Sequence, residues 1–302
     1  MMVDRKLRVL WATDGSANAH GAIPFLRDLI LPAADDLTVL AVAPHALLSG
    51  ARPDPAFLAR ATPSARRKAL AESHAAAERS VTALDPGTRV IEVVSRWGNP
   101  IETVLRVARS SRTDLIVMGA KGHSSLGLVL LGSVSQGVVQ NATQSVLVAR
   151  PGVEFGGRIV LGYDGSPAAR RAVRFLERLD PAAGTEIVLC TVLEPFTLPA
   201  GTPVAYRQRA LEEAHKINER QHQRAERSLR AVAEQLDARG RRVHSEVRSG
   251  QASTALDDVA REHGAGLVVV GSRKPSPARH YLVGSTAEKL VRHCHASVLI
   301  VR

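Results

Sequence analysis

The sequence predicts an α/β protein built from two similar domains, each a parallel β-sheet with helices on both faces. Two observations lead to this fold class. Apolar runs typical of buried strands alternate with segments of helical periodicity, and the whole order of motifs occurs twice. Near-continuous runs of valine, isoleucine and leucine indicate strands that are buried on both faces, as parallel strands in α/β proteins are.

The internal repeat is visible at several places along the chain. Thr13-Asp14-Gly15-Ser16 returns as Tyr163-Asp164-Gly165-Ser166, an offset of 150 positions. The strand-like run at 115–119 returns at 267–271, and the last strands of the two halves are also similar. A repeat of this length corresponds to two whole domains rather than to a solenoid.

Each half contains the same succession of elements. In the first half, we predict strands near 7–12, 37–43, 89–94, 114–118 and 145–149, and helices near 17–30, 63–84, 99–110 and 133–141. In the second half, we predict strands near 157–163, 185–192, 242–248, 266–270 and 297–301, and helices near 167–179, 204–239, 251–263 and 285–294. The 302 residues are enough for two domains that each bury a core. We predict domains at residues 1–152 and 153–302, because Pro151-Gly152 and Gly156-Gly157 are typical of a junction.

The composition bears on partners and location. The net charge is +11, but basic residues are interleaved with acidic ones, and aromatic residues make up 3% of the chain. This pattern does not favour nucleic-acid binding, which needs basic patches or stacking platforms. No apolar run approaches the ~20 residues that span a bilayer, and no signal sequence is recognisable. The two cysteines do not indicate a disulfide framework. We therefore expect a soluble, cytoplasmic protein without a membrane partner.

The most informative motif is a glycine-rich loop. Gly119-Ala120-Lys121-Gly122 is followed, after nine residues, by Gly132-Ser133; the loop leaves a predicted strand and opens a predicted helix. Such a loop presents backbone N–H groups and the positive end of a helix dipole to an anion. Glycine is needed where a Cβ would block a phosphate. The loop therefore predicts a phosphate site, although neither a Walker A loop nor a G-x-G-x-x-G fingerprint is present.

The turn after the first strand supplies a second candidate. Ligands of open parallel sheets bind beyond the carboxyl ends of the strands, where the strand order reverses. Asp14 lies there, and its carboxylate or the neighbouring main chain could contact an adenine or a ribose. Alternatively, Asp14-Gly15-Ser16 forms a turn and a helix N-cap. Its recurrence in both halves, each time with a downstream glycine loop, favours the ligand role.

The Asp-Gly-Ser turn and the G-x2-G-x9-G-[ST] loop resemble those of the universal stress protein family in its tandem form, over essentially all 302 residues. The resemblance implies five-stranded sheets of strand order 3-2-1-4-5 and an adenine nucleotide α-hydrolase-like fold. It implies a stress-response regulatory module that binds ATP or a related adenine nucleotide, with or without Mg²⁺. The implied site residues are Ala12, Thr13, Asp14 and Val42 on the nucleoside side, and Gly119, Gly122, Gly132, Ser133, Val134 and Ser135 on the ribose and phosphate side.

The second half departs from this pattern in its loop. Lys274 stands where the second glycine belongs, and Pro275 and Pro277 follow. A side chain blocks backbone approach, and prolines lack N–H donors. We expect a weakened site, the alternative being that the Lys274 ammonium replaces the lost contacts. The corresponding residues are Asp164, Val192, Gly271, Gly284, Ser285 and Thr286.

Efficient catalysis is not predicted, and we assign no catalytic residue. Phosphoryl transfer needs a carboxylate that holds a metal and a group that positions the attacking atom. The sequence places only Asp14 in the crevice, and a loop histidine such as His123 is more often neither acid nor base. A slow ATPase or nucleotidyl transferase, and a nucleotide-free scaffold, remain the alternatives.

No metal site is predicted either. In His293-Cys294-His295, three adjacent residues on a helix cannot all face one ion, and no second cluster has zinc-like spacing. Cys294 and Cys190 are predicted as packed residues. The family resemblance implies that the last strands, 145–149 and 297–301, pair antiparallel between the domains. A homodimer and an unidentified protein partner remain open.

Overall fold

The computed structural model describes residues 6–44, 62–85, 87, 91–120, 131–198, 204–238, 240–272 and 284–302. Within this part of the chain, ten strands form one continuous sheet. They are Leu7–Ala12 (β1), Ala34–Pro44 (β2), Ile91–Gly98 (β3), Leu115–Gly119 (β4), Ser145–Ala149 (β5), Arg158–Gly162 (β6), Glu186–Leu193 (β7), Arg242–Ser249 (β8), Leu267–Gly271 (β9) and Ser297–Val301 (β10).

The strand order is β3-β2-β1-β4-β5-β10-β9-β6-β7-β8. Counted from its own first strand, each half therefore has the order 3-2-1-4-5, with parallel neighbours throughout. This confirms the predicted fold class. The strand order reverses between β1 and β4, and again between β6 and β9. Open α/β sheets bind ligands in a crevice beyond the carboxyl ends of the strands at such points.

Helices cover both faces of the sheet. The described α-helices are Ala17–His20 (α1), Ile23–Phe25 (α2), Pro63–Leu84 (α3), Pro100–Ser110 (α4), Ser133–Asn141 (α5), Pro167–Leu179 (α6), Val204–Asp237 (α7), Ala252–Glu262 (α8) and Ser285–His293 (α9). Buried side chains form one hydrophobic cluster on each face. Along β1, Leu7, Val9 and Trp11 belong to one cluster and Leu10 to the other, because successive side chains of a strand point to opposite faces.

The first helical region differs from the prediction of one helix over 17–30. The structure has α1 and α2 there, followed by a π-helical turn and a 3₁₀ turn at 26–33. Pro24 and Pro32 have no N–H group to donate, so the hydrogen-bond ladder is interrupted. In the second half, Pro167 occupies the first turn of α6, where a proline is tolerated, and that helix is continuous.

The two halves meet where β5 pairs antiparallel with β10, as the family resemblance implied. Leu147 lies opposite Leu299 at the middle of this pairing, and every residue of both strands is buried. The Ser297 hydroxyl accepts a hydrogen bond from the Arg150 N–H at 2.9 Å. Pairing the two edge strands with each other closes edges that could otherwise recruit further chains.

Two buried arginines cross this junction in opposite directions. Arg150, which follows β5, donates from Nη2 to the Val291 carbonyl in the last turn of α9 at 2.5 Å. Arg302, which follows β10, donates from Nη2 to the Val139 carbonyl in α5. A cation at a helix C-terminus satisfies an unpaired carbonyl and complements the dipole. Burial lowers the pKa of both guanidinium groups, that of Arg302 to about 10.

Candidate functional site

The first-half candidate residues lie at the carboxyl ends of two adjacent strands. β1 and β4 pair in parallel, with Ala12 opposite Met118. The turn that begins at Thr13 and the loop that begins at Gly119 therefore leave the sheet side by side, at the point where the strand order reverses. Open α/β sheets bind ligands at such a point.

The turn after β1 is held by its own side chains. The Asp14 carboxylate accepts a hydrogen bond from the Ser16 N–H at 3.0 Å, and the Ser16 hydroxyl caps α1 by accepting the Ala19 N–H at 3.3 Å. The turn and N-cap role considered from the sequence is therefore present. Asp14 is nevertheless exposed to solvent, so the structure holds a fixed carboxylate at the rim of the crevice.

Gly15 is required at this turn for two reasons. Its φ is +73°, in the left-handed region, and a Cβ on it would lie 2.8 Å from the Cβ of Ala76 on α3. A side chain at this position would therefore be strained and would also collide with the helix. The equivalent Gly165 has the same φ of +73° but more space, since its nearest neighbour is the Ser228 hydroxyl at 3.9 Å.

A buried polar network ties the first-half turn to α3. The Ser80 hydroxyl is fully buried and donates to the Ala76 carbonyl at 3.0 Å. Its oxygen lies 3.1 Å from the Thr13 hydroxyl and 3.1 Å from Nε2 of His20. Because the Ser80 proton is already used, Thr13 and His20 are the donors, which places the His20 proton on Nε2. This network was not predictable from the sequence, because nothing local links Ser80 to Thr13.

At the start of the glycine loop, the backbones pack closely. A Cβ on Gly119 would lie 2.3 Å from the Asn18 carbonyl oxygen of α1 and 2.8 Å from the Ala19 Cα. The buried Ser135 hydroxyl donates to the Gly119 carbonyl at 2.8 Å. Ser135 therefore fixes the start of the loop by a hydrogen bond from its side chain, which is a more specific role than the sequence indicated. The close packing explains why glycine is needed here independently of any ligand.

The loop rejoins the fold at the N-terminus of α5. Gly132 is the N-cap residue, and no described side chain caps the helix. Ser133 is exposed and Val134 half-buried, so the first turn of the helix is accessible. A helix N-terminus of this kind carries partial positive charge and N–H donors for an anion. Gly122, with the rest of 121–130, lies outside the described residues.

Apolar side chains border the same crevice. Ala12, Val42, Leu131 and Val134 are partly buried, and all pack against the same hydrophobic cluster. Ala12 and Val42 come from the carboxyl ends of β1 and β2, whereas Val134 comes from the first turn of α5. Leu131 was not among the predicted residues, since an apolar residue in a loop gives no signal by itself. Together they offer an apolar surface of the kind that a flat heterocyclic base contacts.

The second half repeats part of this arrangement. The Asp164 carboxylate accepts the Ser166 N–H at 2.9 Å, and Val192 packs against the same hydrophobic cluster as Val42. Gly271 is again pressed against a helix, since a Cβ would lie 2.2 Å from the Ala168 carbonyl oxygen. Gly284 is the N-cap residue of α9, where Ser285 is exposed and Thr286 half-buried.

The entrance to the second loop differs from that of the first. Arg171 donates from Nη2 to the Ser272 carbonyl at 2.8 Å, directly after β9. Gly21 occupies the equivalent position in the first half, 150 residues earlier, and has no side chain to do so. Lys274, Pro275 and Pro277 lie outside the described residues, so the expected weakening of this site stays a prediction.

Two cysteines and one surface cavity are not among the predicted site residues. Burial raises the pKa of the Cys190 thiol to about 12, and it also raises that of Cys294, so neither is a ready thiolate nucleophile. Both cysteines are buried, as expected of packed residues. A surface cavity lined by Arg8, Asp36 and Glu92 lies at the amino ends of the strands, opposite the candidate site.

Comparisons with known proteins agree with the repeat. A sequence model described as the Universal stress protein family matches residues 7–150 and, a second time, residues 157–302. The chain belongs to the universal stress protein family. The two matches give it the tandem form of the family, with two such domains in one chain. No helix in the described part of this universal stress protein is long and apolar enough to cross a membrane.

Individual relatives cover parts of the chain. Universal stress protein G of Shigella flexneri is 33% identical over 90 residues, which are 30% of this chain and 63% of that protein. A universal stress protein of Mycobacterium tuberculosis is 28% identical over 151 residues, 47% of either chain. The chain thus matches less than two thirds of the length of these relatives. A crystal structure of a universal stress protein from Archaeoglobus fulgidus DSM 4304 covers 100% of this chain and 99% of its own, with 22% identity and a TM-score of 0.67, which shows a common fold.

Proposed function

We propose that this universal stress protein is a regulatory module that binds ATP or a related adenine nucleotide in its first half and has no efficient catalytic activity. The observation that carries the proposal is the meeting of three features at one edge of the sheet. These are the exposed Asp14 carboxylate, the glycine loop that leaves β4 at Gly119, and the accessible N-terminus of α5 at Gly132. We further propose that it acts in a cytoplasmic stress response, which its family membership supports.

The nucleoside end of the site would use the apolar surface and the turn. Ala12 and Val42 would contact the base, and Asp14 with the main chain of Thr13 would contact the base edge or the ribose. The hydrogen bond from Ser16 to Asp14 restricts the carboxylate, so that less conformational freedom is lost on binding. Leu131, which packs against the same cluster, would close this surface from the loop side.

The phosphate end would use backbone N–H groups. Gly119, Gly122, Gly132 and Ser133 would hold the ribose and phosphates near the N-terminus of α5, where the helix dipole favours negative charge. Any Mg²⁺ would be held mainly by phosphate oxygens and water, as is usual for this ion. Val134 and Ser135 would act from the first turn of α5, Ser135 through its bond to the Gly119 carbonyl.

The proposed absence of efficient turnover follows from what surrounds the phosphates. In the described part of the first half, Asp14 is the carboxylate that lies beside the proposed phosphate site. It already accepts a hydrogen bond from the Ser16 N–H. A slow ATPase or transferase would need a second group to position the attacking atom. We therefore propose that occupancy, rather than chemistry, is the signal, and that it alters the surface offered to a protein partner.

The second half is proposed as a weaker site. Its residues correspond to the first-half positions and are Asp164, Val192, Gly271, Gly284, Ser285 and Thr286. Lys274, however, replaces the second glycine of the loop. A nucleoside without a full triphosphate would still find the turn and the apolar contact there. The two halves, which are joined in one chain and paired antiparallel through β5 and β10, would then give one chain with two unequal sites.

Titration calorimetry with ATP tests the proposal on matched variants. We expect Asp14→Ala to weaken binding at least tenfold while the unfolding temperature changes little, since Asp14 is exposed. Asp164→Ala removes the equivalent turn hydrogen bond in the second half, and we expect it to leave the main binding event unchanged. Equal ATP affinity of Asp14→Ala and the unmodified protein would refute the assigned site. Rapid release of phosphate would favour the ATPase alternative.

A further inference from the structure

A cluster of three potential metal ligands lies in the second half, at the opposite end of α9 from the phosphate loop. Asp257 belongs to α8, Cys294 is the C-cap residue of α9, and His295 follows it. Their ligand atoms all lie within 4.8 Å of one another. The fold therefore brings together a carboxylate oxygen, a thiol sulfur and an imidazole nitrogen, although Asp257 is distant in sequence from the other two.

We propose that Asp257, Cys294 and His295 bind a zinc ion. Sulfur, nitrogen and oxygen donors of this kind are the ligands that zinc takes in proteins. Magnesium and calcium prefer oxygen alone, so they do not fit this set. Three protein ligands leave the fourth tetrahedral position to water or to a group carried by another molecule.

The hydrogen bonds of the cluster orient the ligand atoms. Arg261 donates from Nε and Nη2 to Oδ2 of Asp257, at 3.3 and 3.2 Å. The other oxygen, Oδ1, then faces His295, accepting its main-chain N–H at 2.9 Å and lying 2.6 Å from Nδ1. Outer groups that fix a ligating carboxylate in this way are a regular part of metal sites.

A zinc ion would take the place of protons that the cluster now shares. The proton on Nδ1 of His295 would move to Nε2, and the thiol proton of Cys294 would pass to solvent. Zinc–ligand distances near 2.0–2.3 Å imply ligand separations of about 3.3 Å or more. The 2.6 Å separation between Oδ1 and Nδ1 would therefore widen by roughly 0.7 Å, which small side-chain rotations allow.

The cluster is accessible from one side. The Asp257 and His295 side chains are 18% and 31% exposed, whereas Cys294 is 1% exposed. An ion would enter between the carboxylate and the imidazole, and the sulfur would form the inner wall. At that inner side, Arg150 from the first half reaches the Val291 carbonyl, one turn before Cys294. The bound ion would thus link α8 to the end of α9, next to the junction of the two halves.

The repeat provides an internal comparison. The equivalent first-half positions are Leu105, Ala142 and Thr143, none of which is a zinc ligand. The site is therefore specific to the second half, and one ion per chain is the expected stoichiometry. This proposal departs from the expectation of no metal, which rested on the adjacency of His293, Cys294 and His295. The third ligand comes instead from α8.

Cobalt titration of the metal-free chain of 302 residues tests the proposal, because Co²⁺ reports thiolate ligation by absorption. We expect a thiolate-to-cobalt charge-transfer band that saturates at one ion per chain and disappears when Zn²⁺ displaces the cobalt. Cys294→Ala should abolish the band, whereas Cys190→Ala, the matched change of the other buried cysteine, should retain it. Asp257→Asn and His295→Gln should each weaken cobalt binding at least tenfold.

The cobalt absorption spectrum of the unmodified protein tests the zinc-site proposal even if a variant fails to fold. Absence of the charge-transfer band at millimolar Co²⁺ would overturn the proposal. A band that Cys190→Ala removes and Cys294→Ala keeps would also overturn it, as would unchanged affinity in both Asp257→Asn and His295→Gln. ATP binding in the first half is measured separately, so neither result depends on the other.

Discussion

Replacing Gly119 by alanine is a severe test of how the glycine loop is built. The added Cβ would lie 2.3 Å from the Asn18 carbonyl oxygen, whereas ordinary contacts begin at 3.4 Å. α1 would therefore have to move away from β4 by roughly 1 Å, and because the obstacle is backbone, no rotamer change can relieve it. Overpacking of a tight core site costs about 1–3 kcal/mol. We expect a loss near the top of this range.

The control for this change is Gly137→Ala in α5. There the Cβ would lie 2.4 Å from Cδ1 of Ile101, the end of a side chain that can rotate. A gain of about 1 kcal/mol in helix propensity offsets that rearrangement, so the net change should stay within about 1 kcal/mol. Urea unfolding of both variants measures the difference. A Gly119→Ala protein as stable as Gly137→Ala would refute the close-packing argument.

Three further changes test other parts of the account. Ser16→Ala removes the N-cap of α1 and should cost about 1 kcal/mol in urea unfolding, with no loss if the cap is unimportant. Ser297→Ala leaves the buried Arg150 N–H without its acceptor and should cost about 1–3 kcal/mol, measured in the same way; a neutral result would contradict the described junction. Burial raises the pKa of Glu246, but hydrogen bonds from Arg248 and His263 outweigh it and leave that pKa below its usual value. The ionised Glu246 therefore stabilises the folded protein above about pH 4.3, and this stabilisation is lost as the pH falls through the lowered pKa. Glu246→Gln should reduce the acid dependence of the unfolding free energy. An unchanged pH profile would contradict this assignment.

Much of the fold could be predicted because its signals are local or repeated. The helices at 63–84 and 133–141 were predicted at their observed bounds, since Thr62 and Pro63 mark the start of the first and Gly132 of the glycine loop directly precedes the second. The recurrence of Asp14 at Asp164 favoured a ligand role over a turn alone, and that role stays a prediction. The break in the first helical region was missed, although Pro24 lies in the interior of the predicted helix, where a proline interrupts the hydrogen-bond ladder.

The candidate site was predictable only in outline. Sequence reasoning indicated which residues leave the strand ends, but not that Ser80 and His20 would fix the Thr13 turn, nor that Ser135 would hold the Gly119 carbonyl. Each of these contacts joins residues far apart in the chain, and their distance depends on the packing of helices on the sheet. The same holds for Asp257, which only the folded chain places beside Cys294 and His295.

The nucleotide content of the purified protein tests directly whether the first half binds an adenine nucleotide. Protein purified without added nucleotide would be denatured by heat, and the released compounds would be separated by chromatography and counted against protein concentration. Stripped protein would then be titrated with ATP. We predict one adenine nucleotide per chain, which is lost in Gly122→Lys, a variant that copies the second-half loop. If the protein releases no nucleotide and ATP titration produces no heat, this prediction is contradicted. A nucleotide-free scaffold would then be the better explanation.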